Sequence, residues 1–337
     1  MTRNSEDLQP VYAYSFEDAQ RHFSENKLSR WHTNSTEKKG DKELATERMG
    51  KIFRPGTIVN RKISASDSIF TVGSCFAREV ERSLNRKGFN ALSLKGVGTI
   101  PASVDTGYVN RYNTYSILNE LRWALGTPFP EEGFFQLPNG RYIDLHSHPV
   151  IPSGPIDQIR AYREGTIAYF RNMLSANVVT ITLGLIEGWY DKKQENFINF
   201  APIFGRSDEG SRNLLNDDRF EFRVISYEEN MRNVEQIYEL LTQANPKANI
   251  IVTVSPVTLS ATFTPRDVVV ANCLSKSMLR TVAESWVARH PEKLQYFPSY
   301  EMATLSDRSV VYKEDGMHIQ REFVDQIMSY FSEKMVA

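Results

Sequence analysis

"IFTVGSCFAREVERSL", residues 69–84, sets the frame in which the rest of the chain is read. An apolar run of β-forming residues stops at Gly73-Ser74-Cys75, after which Phe76, Val80 and Leu84 recur four apart, as on one face of a helix. That face closes at Arg86-Lys87-Gly88. A strand that passes to a helix through glycine and two nucleophile-bearing residues either makes a plain turn or displays Ser74 or Cys75 for attack.

The same alternation continues outward. "NVVTITLG" (177–184), "NIIVTVSP" (249–256) and "KLQYFP" (293–298) read as further buried strands. Residues 227–243 place Tyr227, Met231, Val234, Tyr238 and Leu241 on one helical face. A long helix follows over about 267–288, with Leu279, Val282 and Trp286 inward, and Phe323, Ile327 and Phe331 mark a last one. Strands apolar on both faces and alternating with helices predict a three-layer α/β/α sandwich around a mainly parallel central sheet. Ligands in such sheets sit at the carboxyl ends of the strands. Gly73-Ser74-Cys75, Gly184 and Ser255 all fall there.

Residues 1–65 are polar and mixed in charge and read as an N-terminal extension packing on a main domain of 66–337, with Ser15 and Asp18 capping a short helix through Phe23. The main domain carries insertions at about 90–175 and 189–225. The second of these, in particular 192–220, is a polar excursion suited to a lid or a partner surface. No internal repeat is visible.

Bulk properties remove several classes. The 337 residues are 41% hydrophobic and 24% charged with a net charge of −1, so there is no basic excess for nucleic-acid binding. No run reaches the length of a membrane span, and the start has no apolar leader core, which predicts a cytoplasmic protein. The two cysteines, Cys75 and Cys273, have neither metal-site nor disulfide-framework spacing.

A second chemical feature is "YKEDGMHIQREF", residues 312–323. A serine hydroxyl needs an adjacent base, and a carboxylate on the far nitrogen of a histidine fixes the tautomer of that base. Asp315-x-x-His318 can supply both. In the alternative, Asp315 caps the last helix and His318 is a surface histidine.

Taken together, "FTVGSCFA", "YNTYSILNEL", "TITLGLIEGWYD", "TVSPV" and "EDGMHI" resemble the GSCFA family, whose members look like divergent SGNH (GDSL-type) hydrolases. The resemblance runs roughly from Phe53 to the last helix. It implies Ser74 as nucleophile, His318 as general base, Asp315 as its orienting partner, and no cofactor. Cys75 is expected to turn its side chain the other way as a small buried filler, with its backbone N–H toward the oxyanion. The G-x-S-x-G elbow of ordinary α/β-hydrolases is absent.

One departure stands out. SGNH enzymes follow a central strand with Gly-x-Asn, and the asparagine helps bind the oxyanion. Here Ile186 holds that place and Glu187 follows it, where an ionised carboxylate would repel developing charge. Glu187 is left to grip a sugar hydroxyl or to join an ion pair. Asn113 is the candidate replacement donor, or else a turn or cap residue. Gly184 offers a backbone N–H or lets the chain pass closely.

Tyr108, Tyr112, Tyr115, Trp123, Phe129, Phe134, Phe135 and Tyr142 crowd the first insertion, mostly as core, with a few rings for a carbohydrate. His146-x-His148 has a metal-like spacing without a third ligand, and a place at the cleft mouth is the stronger reading. The functional expectation is a serine-dependent acyl-ester hydrolase removing a small acyl group from a carbohydrate. Its rivals are an O-acyltransferase acting on a sugar hydroxyl and a non-catalytic binding module. Oligomeric state is not readable.

Overall fold

Alternate residues of the first strand serve opposite cores. Ile69 packs with one apolar cluster, while Phe70 and Val72 pack with another. This is what a strand covered on both faces requires, because successive side chains point to opposite sides of a sheet. In the computed structural model, which describes residues 10–33, 39–94, 96, 98–101, 104–202 and 218–337, the rest of the chain is arranged around that strand.

The strands are β1 (Ser68–Gly73), β2 (Asn90–Ala91), β3 (Phe134–Gln136), β4 (Tyr142–Asp144), β5 (Val178–Leu183), β6 (Glu187–Asp191), β7 (Asn196–Ile198), β8 (Phe220–Val224), β9 (Asn249–Val254) and β10 (Leu294–Tyr296). The helices are α1 (Phe16–Glu25), α2 (Ala45–Arg48), α3 (Cys75–Arg86), α4 (Thr114–Ala124), α5 (Ile156–Arg171), α6 (Tyr227–Ala244), α7 (Val268–Arg289), α8 (Ser299–Leu305), α9 (Arg308–Val311) and α10 (Arg321–Met335).

The central sheet has five strands in the order β10-β9-β5-β1-β2, and every pairing is parallel. One face is covered by α4–α7 through Leu121, Ile159, Val234, Leu279 and Trp286. The other is covered by α3 and α8–α10 through Phe76, Leu84, Met302, Phe323 and Phe331. The molecule is therefore a three-layer α/β/α sandwich, as the alternation predicts.

Two small antiparallel sheets are added, β3-β4 and β7-β6-β8. The stretch read as a polar excursion starts with β7, paired to β6 in the register Trp189–Ile198, Tyr190–Phe197 and Asp191–Asn196. Its central part, 203–217, lies outside the described residues, and the lid reading falls there.

Toward the amino end, Ser15 caps α1 by accepting from Asp18 N–H at 3.0 Å. Phe53 N–H donates to Ser306 Oγ at 2.8 Å, and Ile63 bridges Val336 in parallel. Among the described residues, no helix is long and apolar enough to cross a membrane.

Candidate active site

Ser74 is the N-cap of α3, with extended backbone (φ −71°, ψ −174°). A serine at an N-cap ordinarily accepts from an N–H of the first helical turn. Ser74 makes no such bond; its Oγ donates instead to Ser255 Oγ at 3.0 Å, across the ends of β1 and β9. Ala77 N–H donates to Ser74 O at 2.9 Å, while the N–H groups of Cys75 and Phe76 stand at the positive end of the helix dipole with no side-chain cap. The turn itself needs glycine. Gly73 has φ +139°, and a Cβ there would lie 2.3 Å from the Thr182 carbonyl oxygen.

Beside Ser74 the segment 110–113 crosses the strand ends. Arg111 N–H donates to Gly73 O and Leu185 N–H to Tyr112 O, each at 2.8 Å. Asn199 braces the crossing by donating to Asn110 O at 2.9 Å and accepting from Tyr112 N–H at 3.3 Å. Gly184 permits it: a Cβ there would stand 2.6 Å from Tyr112 O and 3.4 Å from Ser74 Cβ. Of the two roles open to Gly184, close passage of the chain is the one the geometry documents.

The crossing delivers Asn113, which is the N-cap of α4 and lines the same cavity as Ser74. Its Oδ1 accepts from Ser116 N–H at 2.9 Å and from Ser116 Oγ at 3.1 Å. The cap therefore engages the carbonyl end of the amide, and the NH2 end is the one left to meet a ligand. Ile186, in the sequence place of the SGNH asparagine, is 1% exposed and belongs to the core.

His318 lies in the turn between α9 and α10. Its Nδ1–H donates to Asp315 Oδ2 at 2.7 Å, and Asp315 Oδ1 accepts from the N–H groups of Met317 and His318, each at 2.9 Å. These bonds to the charged form, led by the one from His318, pull the Asp315 carboxyl down to about 2. An ionised Asp315 holds the proton on Nδ1, so Nε2 presents its lone pair. The helix-cap alternative is set aside, because the N-cap of α10 is Gln320. His318 and Ser74 line one cavity, although no hydrogen bond joins them.

The cavity holds about 310 Å³. Trp189, Phe222 and Phe263 form one wall, with ring centroids 5.1–5.5 Å apart. Tyr112, Phe200 and His148 form another, at 5.1–6.1 Å. Of the crowded Tyr, Trp and Phe rings at 90–175, only Tyr112 lines this cavity. The others, such as Trp123, Phe129 and Phe134, pack on one another because the insertion has its own interior to fill.

Three expectations need correction. Cys75 does not turn away: it is half-buried and lines the cavity, because the first turn of α3 opens there. Burial pushes its thiol up, which keeps it protonated and a poor nucleophile. His146 and His148 do not share a strand face, since β4 ends at Asp144. His146 is buried against Gln194 Oε1 at 2.9 Å, whereas His148 reaches the cavity. Glu187 joins no ion pair among the described residues. It accepts from Thr262 Oγ at 2.6 Å and Phe263 N–H at 3.4 Å, fixing the loop that carries the Phe263 wall. Among the described residues no cluster of three or more His, Cys, Asp or Glu side chains could hold a metal.

Two cavity residues had no role assigned from the sequence. The sequence places Ser255 at a strand end only. Lys276, on α7, is 1% exposed and donates to Gly184 O at 2.9 Å. Its signal was a lysine three residues before Leu279 on the inward stripe of α7, where a charge is out of place.

An α/β/α sandwich with a serine at the carboxyl end of β1 and an Asp-buttressed histidine on the same cavity defines the class. The chain belongs to the GSCFA family, whose sequence pattern matches residues 68–331. No curated protein matches it in sequence. Similar solved structures are a Clostridium thermocellum family 3 carbohydrate esterase (12% identity, 80% of this chain and 94% of that one, TM-score 0.32) and a carbohydrate esterase family 3 from Talaromyces cellulolyticus (11% identity, 80% and 95%, TM-score 0.33).

Proposed function

We propose that the protein is a serine-dependent acyl-ester hydrolase that removes a small acyl group from a carbohydrate. The observation that carries the reading is the shared cavity of Ser74 and His318. The serine hydroxyl is turned away from its helix, and the imidazole is oriented by an ionised carboxylate.

In the reaction, Ser74 Oγ leaves Ser255, gives its proton to His318 Nε2 and attacks the ester carbonyl carbon. The oxyanion would be met by N–H groups at the start of α3 and by the Asn113 amide. His318 then protonates the departing sugar alcohol, and a water activated by the same imidazole releases the acyl group from Ser74. The cavity volume suits a short acyl chain with part of a sugar ring, and the two aromatic walls offer apolar faces for that ring.

The test is intact mass and turnover with a small activated ester and with an acetylated oligosaccharide, for wild type and Ser74→Ala. A Ser74-dependent acyl adduct and release of acetate are expected. Acylated sugar formed only when an acceptor is added would assign transfer instead of hydrolysis. Wild type behaving as Ser74→Ala throughout would leave a binding module.

A further inference from the structure

Among the described residues, Lys276 is a cation without a carboxylate partner. No carboxylate among the described residues forms an ion pair with it, and its single hydrogen bond goes to the Gly184 carbonyl at 2.9 Å. An ammonium carries three donors, so two have no acceptor among the described residues. Burying such a group is costly, and the cost is usually met by a paired charge or a functional one. Lys276 stands where a charge would act. Gly184, which it grips, comes so near Ser74 that a glycine Cβ would lie 3.4 Å from the serine Cβ, and both residues line the cavity. The other titratable groups on that cavity are Cys75 on α3, Tyr112 before α4, His148, Glu187 on β6 and His318 before α10. Of these, Cys75 bears most directly on Lys276, and its thiol, kept protonated by burial, supplies no anion.

We propose that Lys276 is a catalytic residue of this site, whose ammonium stabilises the oxyanion formed when Ser74 attacks the ester. It thereby supplies with a full charge what Ile186 cannot supply. The inference rests on the serine-esterase reading above. In the step concerned, the Ser74 Oγ–carbon bond forms and the carbonyl π pair moves onto oxygen, while the Ser74 proton passes to His318 Nε2. Lys276 keeps all its protons and turns a free N–H to the new anion. On collapse that pair re-forms the carbonyl, the bond to the alcohol breaks, and His318 returns its proton to the leaving oxygen.

Burial pushes the Lys276 ammonium down to about 7. A group with a lowered value is charged below it and neutral above, so the free protein would lose the stabilising charge as pH rises through neutrality.

The test is kcat and KM for 4-nitrophenyl acetate from pH 5 to 9, for wild type, Lys276→Met and Lys276→Gln, with thermal unfolding as the control for folding. Both variants are expected to lose about 10²–10³-fold in kcat with little change in KM, the scale of one lost oxyanion donor. They should also lack the alkaline decline that wild type shows. Met removes a buried charge and should leave the folded state intact; Gln serves if it does not. A folded variant within about threefold of wild type with the same alkaline decline overturns the role of Lys276 while leaving the esterase reading standing. Wild type that neither turns over nor is acylated at Ser74 overturns both.

Discussion

A serine at a helix N-cap has a ready use for its hydroxyl, and Ser74 forgoes it in favour of Ser255. Asn113 does the reverse, capping α4 with one end of its amide and keeping the other for the cavity. The contrast gives paired expectations. Ser74→Ala should abolish ester turnover, by about 10⁵-fold or more, and cost the fold only about 1 kcal/mol for one lost hydrogen bond; kinetics and thermal unfolding check both. Asn113→Ala should lose about 1 kcal/mol of capping together with about 10²–10³-fold in kcat. Asn113→Asp keeps a capping oxygen and lacks the NH2, so its Tm should stay near wild type while turnover falls as far or further. Equal turnover in Asn113→Asp and wild type would reduce Asn113 to a cap. Ser74, His318 and Asp315 could be picked out from the sequence because local motifs carry them. Lys276 shows in the sequence only as a charge out of place on the inward stripe of α7, because its partner is the Gly184 carbonyl, four strands earlier in the chain.

At the scale of elements, the site is a set of loops pinned by close backbone contacts. Gly184→Ala would press a methyl against Tyr112 O, a backbone atom that cannot rotate aside. We expect a loss of about 1–3 kcal/mol and a displaced Asn113, read as lower Tm together with reduced kcat. The His318 turn depends on an ionised Asp315. Because the folded carboxyl is held below its usual range, its contribution to the turn is complete above about pH 4 and is lost as pH falls through about 2. Asp315→Asn removes the charge and the tautomer control at neutral pH, with an expected loss on the order of 10²–10⁴-fold in kcat and little change in Tm, since the residue is exposed. The β-α alternation of the sandwich was legible because each strand is buried on both faces. The β7-β6-β8 sheet was not, since Asn196, Arg223 and Glu221 give it a polar surface that reads as loop.

For the whole molecule, the site leans on a buried charge network. Arg111 and Arg163 both meet Glu120 Oε1, at 2.5 and 2.8 Å, and Arg163 continues to Asp144 at 2.5 Å. The network ties the chain just before Asn113 to α4, α5 and the end of β4. Glu120→Gln would leave the buried Arg111 guanidinium without its carboxylate and Arg163 with Asp144 alone, at a cost of roughly 3–5 kcal/mol by chemical denaturation. Such a penalty with turnover per folded molecule unchanged would show the network to be scaffold alone.

The distance along the chain between Ser74 and His318 has a further consequence. During synthesis Ser74 leaves the ribosome long before His318, and α10, which packs with α3 in one apolar cluster, follows both. On the proposed reading, a nascent chain therefore carries Ser74 without its base until α10 docks on α3. Arming that hydroxyl would then be tied to the docking of α10.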